Sequence, residues 1–345
     1  MLVAERQLAI KEWNKRLIVY NMAIKNKKFS DIDIEQLLLD SVPKDTELCF
    51  GVNEDFEKLR TNIENNGELQ DAIILAYNKK HGTNYTKQDW HFGDLYPEDV
   101  STKMGVFGRD NKEEGMPKCT AKIVLGNVNF SESIAVDMSD LEVVLGSAYF
   151  DKSQVTDLGN LKIVGGDADF CNSKITDLGK LVRIGGSVSF FHSQVMNLSN
   201  LTQIGENANF AFSQIRDLGK LKIIGGNVSF LESQVTDLSS LTSIGGNADF
   251  VGTLVKDLGN LRSIGGYCDY RYSHVTNLSK LEKVGNFAIF YRSKVVDLSS
   301  LEIVNGKIDI TGCAVTELPK LRKVKEIIMD KNQSIGVSNV LVGCV

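Results

Sequence analysis

The chain has 345 residues, 42% of them hydrophobic and 24% charged, which suffices for a sizeable core and for two domains. Its net charge of −5 gives no general attraction to nucleic acids or anionic membranes. The six cysteines are scattered without a C-x-x-C pair, so we expect reduced thiols in a cytoplasmic protein. Charged residues interrupt the apolar positions of residues 1–24, which argues against a signal peptide or a membrane span there.

The first segment of the chain predicts an amphipathic helix. Apolar residues recur at alternating spacings of mostly three and four from Val3 to Ile24. The first 28 residues also carry seven Lys or Arg against two acidic residues. We interpret this charge as a solvated helix face, and contact with nucleic acid or an acidic partner as the weaker alternative.

Residues 1–118 as a whole predict a helical N-terminal domain with a loop-rich end. Further apolar stripes predict short helices at residues 30–39, 53–63 and 69–76, with Gly67 separating the last two. A capped turn is predicted before Trp90, and a loop from His91 to Met116. No known family is apparent in this part of the chain.

From about Ala121 to Lys320 the chain repeats one twenty-residue template ten times without an insertion. Written from its phenylalanine, the template is F-x-x-S-x-[VI]-x-D-L-[GS]-x-L-x-x-[IV]-G-G-x-[AV]-x. One column shows its constant length: Leu141, Leu161, Leu181, Leu201, Leu221, Leu241, Leu261, Leu281, Leu301 and Leu321. An array of this kind buries its core by stacking units, which predicts a solenoid whose long surface recognises a partner.

A single repeat predicts a short strand, a turn, an opposite flank and a corner. Ala168 and Phe170 alternate inward on the strand, and Asp169 between them faces outward. The chain returns to the next strand through a corner at Gly185 and Gly186, with seven small or apolar inward positions per repeat. Stacked strands predict a parallel sheet on the order of 45 Å long.

The order A-x-F-x-x-S-x-V resembles the L-x-L-x-x-N-x-L core of leucine-rich repeats, with serine in the place of asparagine. The step L-x-x-[IV]-G-G-x-[AV]-x-F is similar to the coil pattern of receptor L domains, which are irregular relatives of leucine-rich repeats. The resemblance covers residues 119–330 and implies a right-handed solenoid that binds on a sheet face. We therefore predict a mainly β, leucine-rich-repeat-like parallel β-solenoid of about ten coils with a C-terminal cap at residues 119–345, preceded by the small helical domain at residues 1–118.

Two polar columns of the template invite chemical interpretations. The serine column has no repeating His or Lys, so we expect its hydroxyls to bond backbone groups of neighbouring coils rather than to act as nucleophiles. The aspartate column is expected to cap the turn that follows it, because Asn197 and Asn277 replace Asp and keep the acceptor without the charge. The Gly-Gly pairs are corners, and the four histidines show no zinc spacing. No catalytic residue, metal or cofactor is expected.

Outward positions near the end of the array depart from small polar residues. Aromatic and arginine residues, which dominate binding hot spots, gather there on neighbouring coils. The candidate partner-binding residues are Phe191, Phe212, Tyr267, Arg271, Tyr272, Phe287, Tyr291 and Arg292. Packing under a loop or a C-terminal cap is a nearly equal alternative for Phe287, and arginine stacking on aromatic faces would satisfy part of the cluster internally.

These features favour a non-enzymatic scaffold that binds another protein through the outward face of the solenoid sheet. Two alternatives stay open at this stage. One is an enzyme or effector with its activity in residues 1–118 and its target chosen by the repeats. The other is an acidic nucleic-acid mimic that uses the outward acids Asp167, Asp169, Asp249, Asp269 and Asp309. We expect no membrane partner, and contact with nucleic acid only through the basic first helix.

Overall fold

The computed structural model describes residues 59, 61–100, 118–337 and 341–342. These residues form a mainly β parallel solenoid of about ten coils, each coil being one twenty-residue turn of the chain, with a few helices before it. The predictions for residues 1–58 and 101–117, including the basic first helix, lie outside the described residues.

The first sheet contains the strands that precede the glycine corners, and its 13 strands lie side by side in chain order. Strands twenty residues apart pair in parallel, as Gln203 does with Ile223, because every coil has the same length. The strands are Trp90–His91, Ile123–Val124, Val143–Val144, Ile163–Val164, Arg183–Ile184, Gln203–Ile204, Ile223–Ile224, Ser243–Ile244, Ser263–Ile264, Lys283–Val284, Ile303–Val304, Lys323–Val324 and Leu341–Val342.

The second sheet contains 11 strands that follow the corners. They are Val128–Asn129, Ala148–Tyr149, Ala168–Asp169, Val188–Ser189, Ala208–Asn209, Val228–Ser229, Ala248–Asp249, Cys268–Asp269, Ala288–Ile289, Lys307–Asp309 and Glu326–Ile328. A third pairing line runs along the aspartate column as isolated parallel bridges, and it ends in the two-stranded sheet of Glu317–Leu318 and Gly336–Val337. The two sheets therefore pair successive coils along the array, and the third line adds bridges between some of them.

The core contains the predicted inward positions of every coil. In one coil these are Ala168, Phe170, Ser173, Ile175, Leu178, Leu181 and Ile184, and none is more than 2% exposed. The aromatic rings of the phenylalanine column stack through the core, with neighbouring centroids 4.7 to 6.3 Å apart. Tyr270 takes one place in this stack, and burial raises the pKa of its phenol well above the ordinary value.

The glycine corners are required by close stacking. A Cβ at Gly225 would lie 1.9 Å from the carbonyl oxygen of Gly205, and one at Gly245 would lie 2.0 Å from that of Gly225. Real Cβ atoms do not approach backbone oxygens so closely, so Gly225 and Gly245 must lack a side chain at this stacking distance. The predicted corners are confirmed, and their cause is backbone contact between successive coils.

Helix α1, Gly67–His81, packs on the outer face of the first sheet at its beginning. The side chain of Asn66 caps it by accepting the N–H of Leu69 at 3.1 Å. Residues 61–64 are also helical, and short 3-10 helices follow at Lys87–Asp89 and Pro97–Asp99. Leu69 and Ile73 are fully buried in one cluster, whose members from the first coils are Ile123, Leu125 and Val143.

Two details of the predicted helix are wrong. Gly67 does not separate two helices but is the first residue of α1, because Asn66 supplies the cap. Leu75 lies within the apolar stripe predicted at residues 69–76, but its side chain is 71% exposed. The capped turn before Trp90 is confirmed, since Asp89 accepts the N–H of Thr86 at 2.7 Å.

The stacking of strands starts before residue 119. Trp90 pairs with Ile123, and Leu95 forms an isolated parallel bridge with Val128. The division of the chain between residues 118 and 119 stays a prediction. Across the part of the chain described, no helix has both the length and the apolar character needed to cross a bilayer.

Candidate binding surface on the second sheet

The outer face of the second sheet carries two columns of outward side chains. The corner-side column follows the glycine corner, and the turn-side column lies two residues later, with one inward residue between them. Together they line an open depression of about 650 Å³, which we call the trough. Its corner-side residues are Asp167, Ser187, Asn207, Asn227, Asn247 and Tyr267, and its turn-side residues are Tyr149, Asp169, Ser189, Asn209, Ser229 and Asp249.

Side chains of the corner-side column form a ladder along the solenoid. The Oδ1 atom of Asn207 accepts the backbone N–H of Asn227 at 2.8 Å, and Asn227 accepts that of Asn247 in the same way. The last bond of this ladder joins the N–H of Tyr267 to Asn247 at 3.0 Å. Serine and aspartate also serve in the column, since the N–H of Asp167 donates to the hydroxyl of Ser147. Each acceptor therefore joins its own coil to the next one.

Side chains of the turn-side column cap the turn that follows the strand. Asn209 accepts the N–H of Ala211 at 3.0 Å, and Asp249 accepts that of Val251 at the same distance. Burial raises the pKa of the Asp249 carboxyl, and the nearby carboxylate of Asp269 raises it further. Of the acids that would form a nucleic-acid mimic, Asp169, Asp249, Asp269 and Asp309 thus bind the backbone of their own turns, and Asp167 binds the backbone of the next coil.

A ridge borders the trough where the chain turns after each second-sheet strand. We call the two residue columns after the core aromatic the turn ridge. Its second column has a left-handed backbone, with φ of 53° at Asn172 and 56° at Tyr272. In the middle coils the ridge carries an aromatic group, in which the rings of Phe191 and Phe212 lie 5.8 Å apart and His192 stacks on Phe212 at 5.5 Å.

A second ridge group lies several coils further along. The rings of Tyr272 and Tyr291 meet edge to face at 6.1 Å. The guanidinium of Arg292 lies over the Tyr291 ring, 5.2 Å from its centroid. Tyr272 remains 54% exposed despite these contacts. The group therefore presents aromatic surface as well as a cation to solvent.

The other predicted site residues of these coils make different contacts. Arg271 makes an ion pair with Asp269 at 2.7 Å, and Asp269 is held in the turn by the Arg271 N–H as well. Tyr267 and Phe287 belong to the corner-side column and are 38% and 42% exposed. The predicted residues thus form two ridge groups, one ion pair and one exposed aromatic pair on adjacent coils.

Sequence reasoning missed the trough and Tyr149, and it left His192 out of the candidate residues although His192 lies in the same template column as Phe212. His192 joins Phe191 and Phe212, and Tyr149 lines the start of the trough. Both residues occupy outward positions of the template, so an alignment of the repeats could have identified them. The ladder of Asn acceptors had no such signal, because it depends on side-chain orientation between coils.

The serine column does not form the expected bonds to neighbouring coils. The hydroxyls of Ser153, Ser193 and Ser213 are buried and have no hydrogen-bond partner within the described residues. Ser173 instead donates to the carbonyl of Phe170 in its own coil at 3.0 Å. The expectation fails because the backbone already pairs with itself there, as when the N–H of Gln234 donates to the carbonyl of Ser213.

The aspartate column caps its turns, as predicted. Asp157 accepts the N–H of Gly159 at 2.7 Å, and Asn197 makes the equivalent bond to Ser199 at 3.0 Å. The backbone N–H of Ser139 holds the pKa of Asp137 below its ordinary value. Asn and Asp therefore have the same structural task in this column.

Among the described residues, no group of three or more His, Cys, Asp or Glu side chains is arranged to hold a metal ion. The described cysteines Cys119, Cys171, Cys268 and Cys313 are free thiols. Comparison with known proteins adds no relative: no family model, curated protein or solved structure shows significant similarity to the chain.

Proposed function

We propose that this chain is a binding scaffold that recognises another protein through the second ridge group, Tyr272, Tyr291 and Arg292. The observation that carries the proposal is the contact of the exposed Tyr272 with the half-buried Tyr291, beside the exposed cation of Arg292. Tyrosine and arginine are the residue types that supply most of the energy at protein interfaces. Their mutual contacts hold the rings in place before binding, which lowers the entropy lost on association.

The surroundings of the group also suit a protein partner. Tyr267 and Phe287 lie on the same coils across the sheet face, so an interface there would span the width of the second sheet. Asp269 lies between these two edges, and its ion pair with the ridge residue Arg271 gives the surface a polar centre that is already paired. The core below consists of stacked coils, which gives these side chains a rigid support.

We further propose a type for the solenoid and a cellular compartment for the protein. We assign the solenoid to the leucine-rich-repeat-like type on the strength of the repeat motif and the parallel strand stacking. We assign a cytoplasmic location on the free thiols of the four described cysteines, since reducing compartments keep thiols free.

The test compares variants that keep the left-handed turn. Tyr272→Asn and Arg292→Asn introduce a residue that Asn172 already places at this backbone conformation. Glu232→Asn changes the same column elsewhere and is the matched control. Each protein is used to capture partners from an extract of the source cells, with and without nuclease, and the captured protein is then purified for affinity measurement.

We expect Tyr272→Asn and Arg292→Asn each to weaken binding to the purified partner by more than about 1 kcal/mol, roughly fivefold. Glu232→Asn should bind like the unchanged protein. The proposal would be contradicted if the unchanged protein and the three variants bound the partner equally. It would also be contradicted if nuclease treatment of the extract abolished capture of the partner.

A further inference from the structure

The trough has a different chemistry from the ridge. Its floor and sides over the middle coils consist of Ser, Asn, Ala and Val, without an aromatic or basic residue. Tyrosines stand at its two ends, Tyr149 and Tyr267. Six coil spacings separate these tyrosines, which corresponds to a length of about 29 Å at the usual strand spacing.

The amide side chains in the middle of the trough have an unused donor. The Oδ1 atoms of Asn227 and Asn247 accept backbone N–H groups of the next coil. Within the described residues, their Nδ2 groups make no hydrogen bond to the chain. Because the two polar atoms of an amide diverge, fixing the oxygen in the ladder also fixes the direction of the NH₂ group. The trough thus presents oriented donors at a regular coil spacing.

Acceptors flank these donors. The lining includes the carboxylates of Asp167, Asp169 and Asp249 and contains no Lys, Arg or His. Each of these carboxylates has one oxygen bonded to a backbone N–H, which leaves a second oxygen able to accept. Anionic ligands such as nucleic acids or sulfated polymers are disfavoured by this charge.

The geometry points to an extended, uncharged β-linked glycan chain as the occupant of the trough. Sugar hydroxyls both donate and accept, so they match both the amide NH₂ groups of Asn227 and Asn247 and the carboxylate oxygens of the trough. The pyranose repeat along a straight β-linked chain is close to the spacing between coils, which allows the same contact to recur from coil to coil. The exposed ring of Tyr267 provides an apolar surface for the face of a terminal sugar.

A peptide fits this surface less well. Peptide recognition on a sheet relies on a free strand edge or on pockets for anchoring side chains. The strands under the trough are paired on both sides, as Ala208 is with Val188 and Val228, so no backbone edge is available there. The middle of the trough also lacks the aromatic and arginine anchors of the ridge.

The test uses the full chain with soluble hexasaccharides in calorimetric titration. Cellohexaose, xylohexaose and chitohexaose are the straight probes, and maltohexaose, which is a curved α-linked chain, is the negative control. We expect at least one straight probe to bind, and its trisaccharide to bind about tenfold more weakly because it spans fewer coils. Maltohexaose should not bind.

The trough variants are chosen to keep the ladder. Asn227→Ser with Asn247→Ser removes the two NH₂ donors but retains a side-chain acceptor, as Ser147 and Ser187 provide in the same column. Tyr267→Asn restores the residue of the preceding coils. We expect each variant to weaken binding of the straight probe about fivefold or more, at unchanged melting temperature. Tyr272→Asn on the ridge should bind the probe like the unchanged protein.

Three results would overturn the proposal. One is the absence of binding by all three straight probes at millimolar concentration. Another is equal affinity for the straight and curved glycans, or an equal loss of glycan affinity in the trough and ridge variants. The third concerns the double variant Asn227→Ser with Asn247→Ser. If this variant no longer binds the protein partner, and no glycan binds the unchanged protein, the trough belongs to the protein interface. Glycan binding is independent of the ridge group, so either assignment can fail while the other stands.

Discussion

A single coil can bind backbone N–H groups through acceptor side chains at three places. In one coil, Asp167 accepts an N–H from the next coil, Asp169 accepts one within the turn after the strand, and Asp177 accepts one in the opposite turn. Asn or Ser replaces these residues in other coils without loss of the acceptor. The aspartates of these three columns are therefore explained by their bonds to backbone N–H groups, and no cation is needed to account for them.

Removal of the Ser213 hydroxyl should leave stability almost unchanged. The group is buried without a hydrogen-bond partner among the described residues, so Ser213→Ala removes an unsatisfied polar atom. We expect a change within about 0.5 kcal/mol, or a gain in stability, measured by urea denaturation. The matched variant Ser173→Ala removes a bond to the Phe170 carbonyl and should cost about 1 kcal/mol. Equal costs at both positions would show that the two hydroxyls have the same role.

A side chain at a stacked corner should be strongly destabilising. Gly225→Ala brings Cβ within contact of the Gly205 carbonyl, so the two coils must separate locally, at a cost of about 3 kcal/mol. Gly252→Asn lies in the left-handed turn, where the nearest atom to a Cβ is 3.7 Å away. That control should change the free energy of unfolding by no more than about 0.5 kcal/mol. A tolerated Gly225→Ala would mean that the corners are less closely stacked.

At the level of residues, the template predicted which side chains are buried and which cap a turn. It did not predict which polar side chains form hydrogen bonds, because those bonds depend on how the side chains are oriented. The inward column and the Asp157 cap follow from periodicity and residue type, and both are confirmed. The free hydroxyl of Ser213 and the amide ladder at Asn227 depend on which neighbouring backbone groups are already paired. A single sequence does not specify that pairing.

Helix α1 acts as a side cover for the first coils. It buries the outward residues Ile123 and Val143 of the first sheet, positions that later coils leave to solvent or to polar residues. The helix was predicted from its apolar residues, but its docking face was not, because Leu75 belongs to the same apolar run and points to solvent. Packing partners decide which side of a short apolar run is buried.

A charge on the buried face of α1 should prevent the helix from packing on the first sheet. Ile73 is fully buried, so Ile73→Asp places a carboxylate against the apolar outer face of the first sheet and should cost more than about 3 kcal/mol. Leu75→Asp adds the same charge to the exposed side of the same helix and should cost less than about 0.5 kcal/mol. Thermal denaturation followed at the tryptophan fluorescence measures both. Similar losses in the two variants would show that α1 is stabilised by its intrinsic helix propensity rather than by docking.

Across the whole molecule, stability passes from coil to coil through contacts between neighbours. Each coil contacts only the coils before and after it, so the array behaves as a chain of linked units rather than as one globular core. The constant length of the template was sufficient to predict this architecture. The points where the array meets α1 and the strand Trp90–His91 were not predictable, because those segments lack the template.

A core truncation should have a larger effect in the middle of the array than at its end. Leu221 and Leu321 are both fully buried in the same column. Leu221→Ala should cost about 2–5 kcal/mol, because coils on both sides depend on the interface that it weakens. Leu321→Ala should cost less, since a terminal coil can unfold locally while the rest stays folded. Denaturation curves for the two variants give the comparison, and a larger loss at Leu321 would indicate that the C-terminal coils nucleate the fold.

The amide ladder also limits how the two outer surfaces can evolve. A trough residue such as Asn227 must offer an oxygen to the next coil, so a substitution that improved a ligand contact but lacked that oxygen would remove a backbone hydrogen bond. The left-handed ridge position has no such obligation and already holds acidic, basic, aromatic and amide side chains as well as glycine. Selection can therefore diversify the ridge one residue at a time, while the corner-side positions between Asp167 and Asn247 hold only Asn, Asp and Ser.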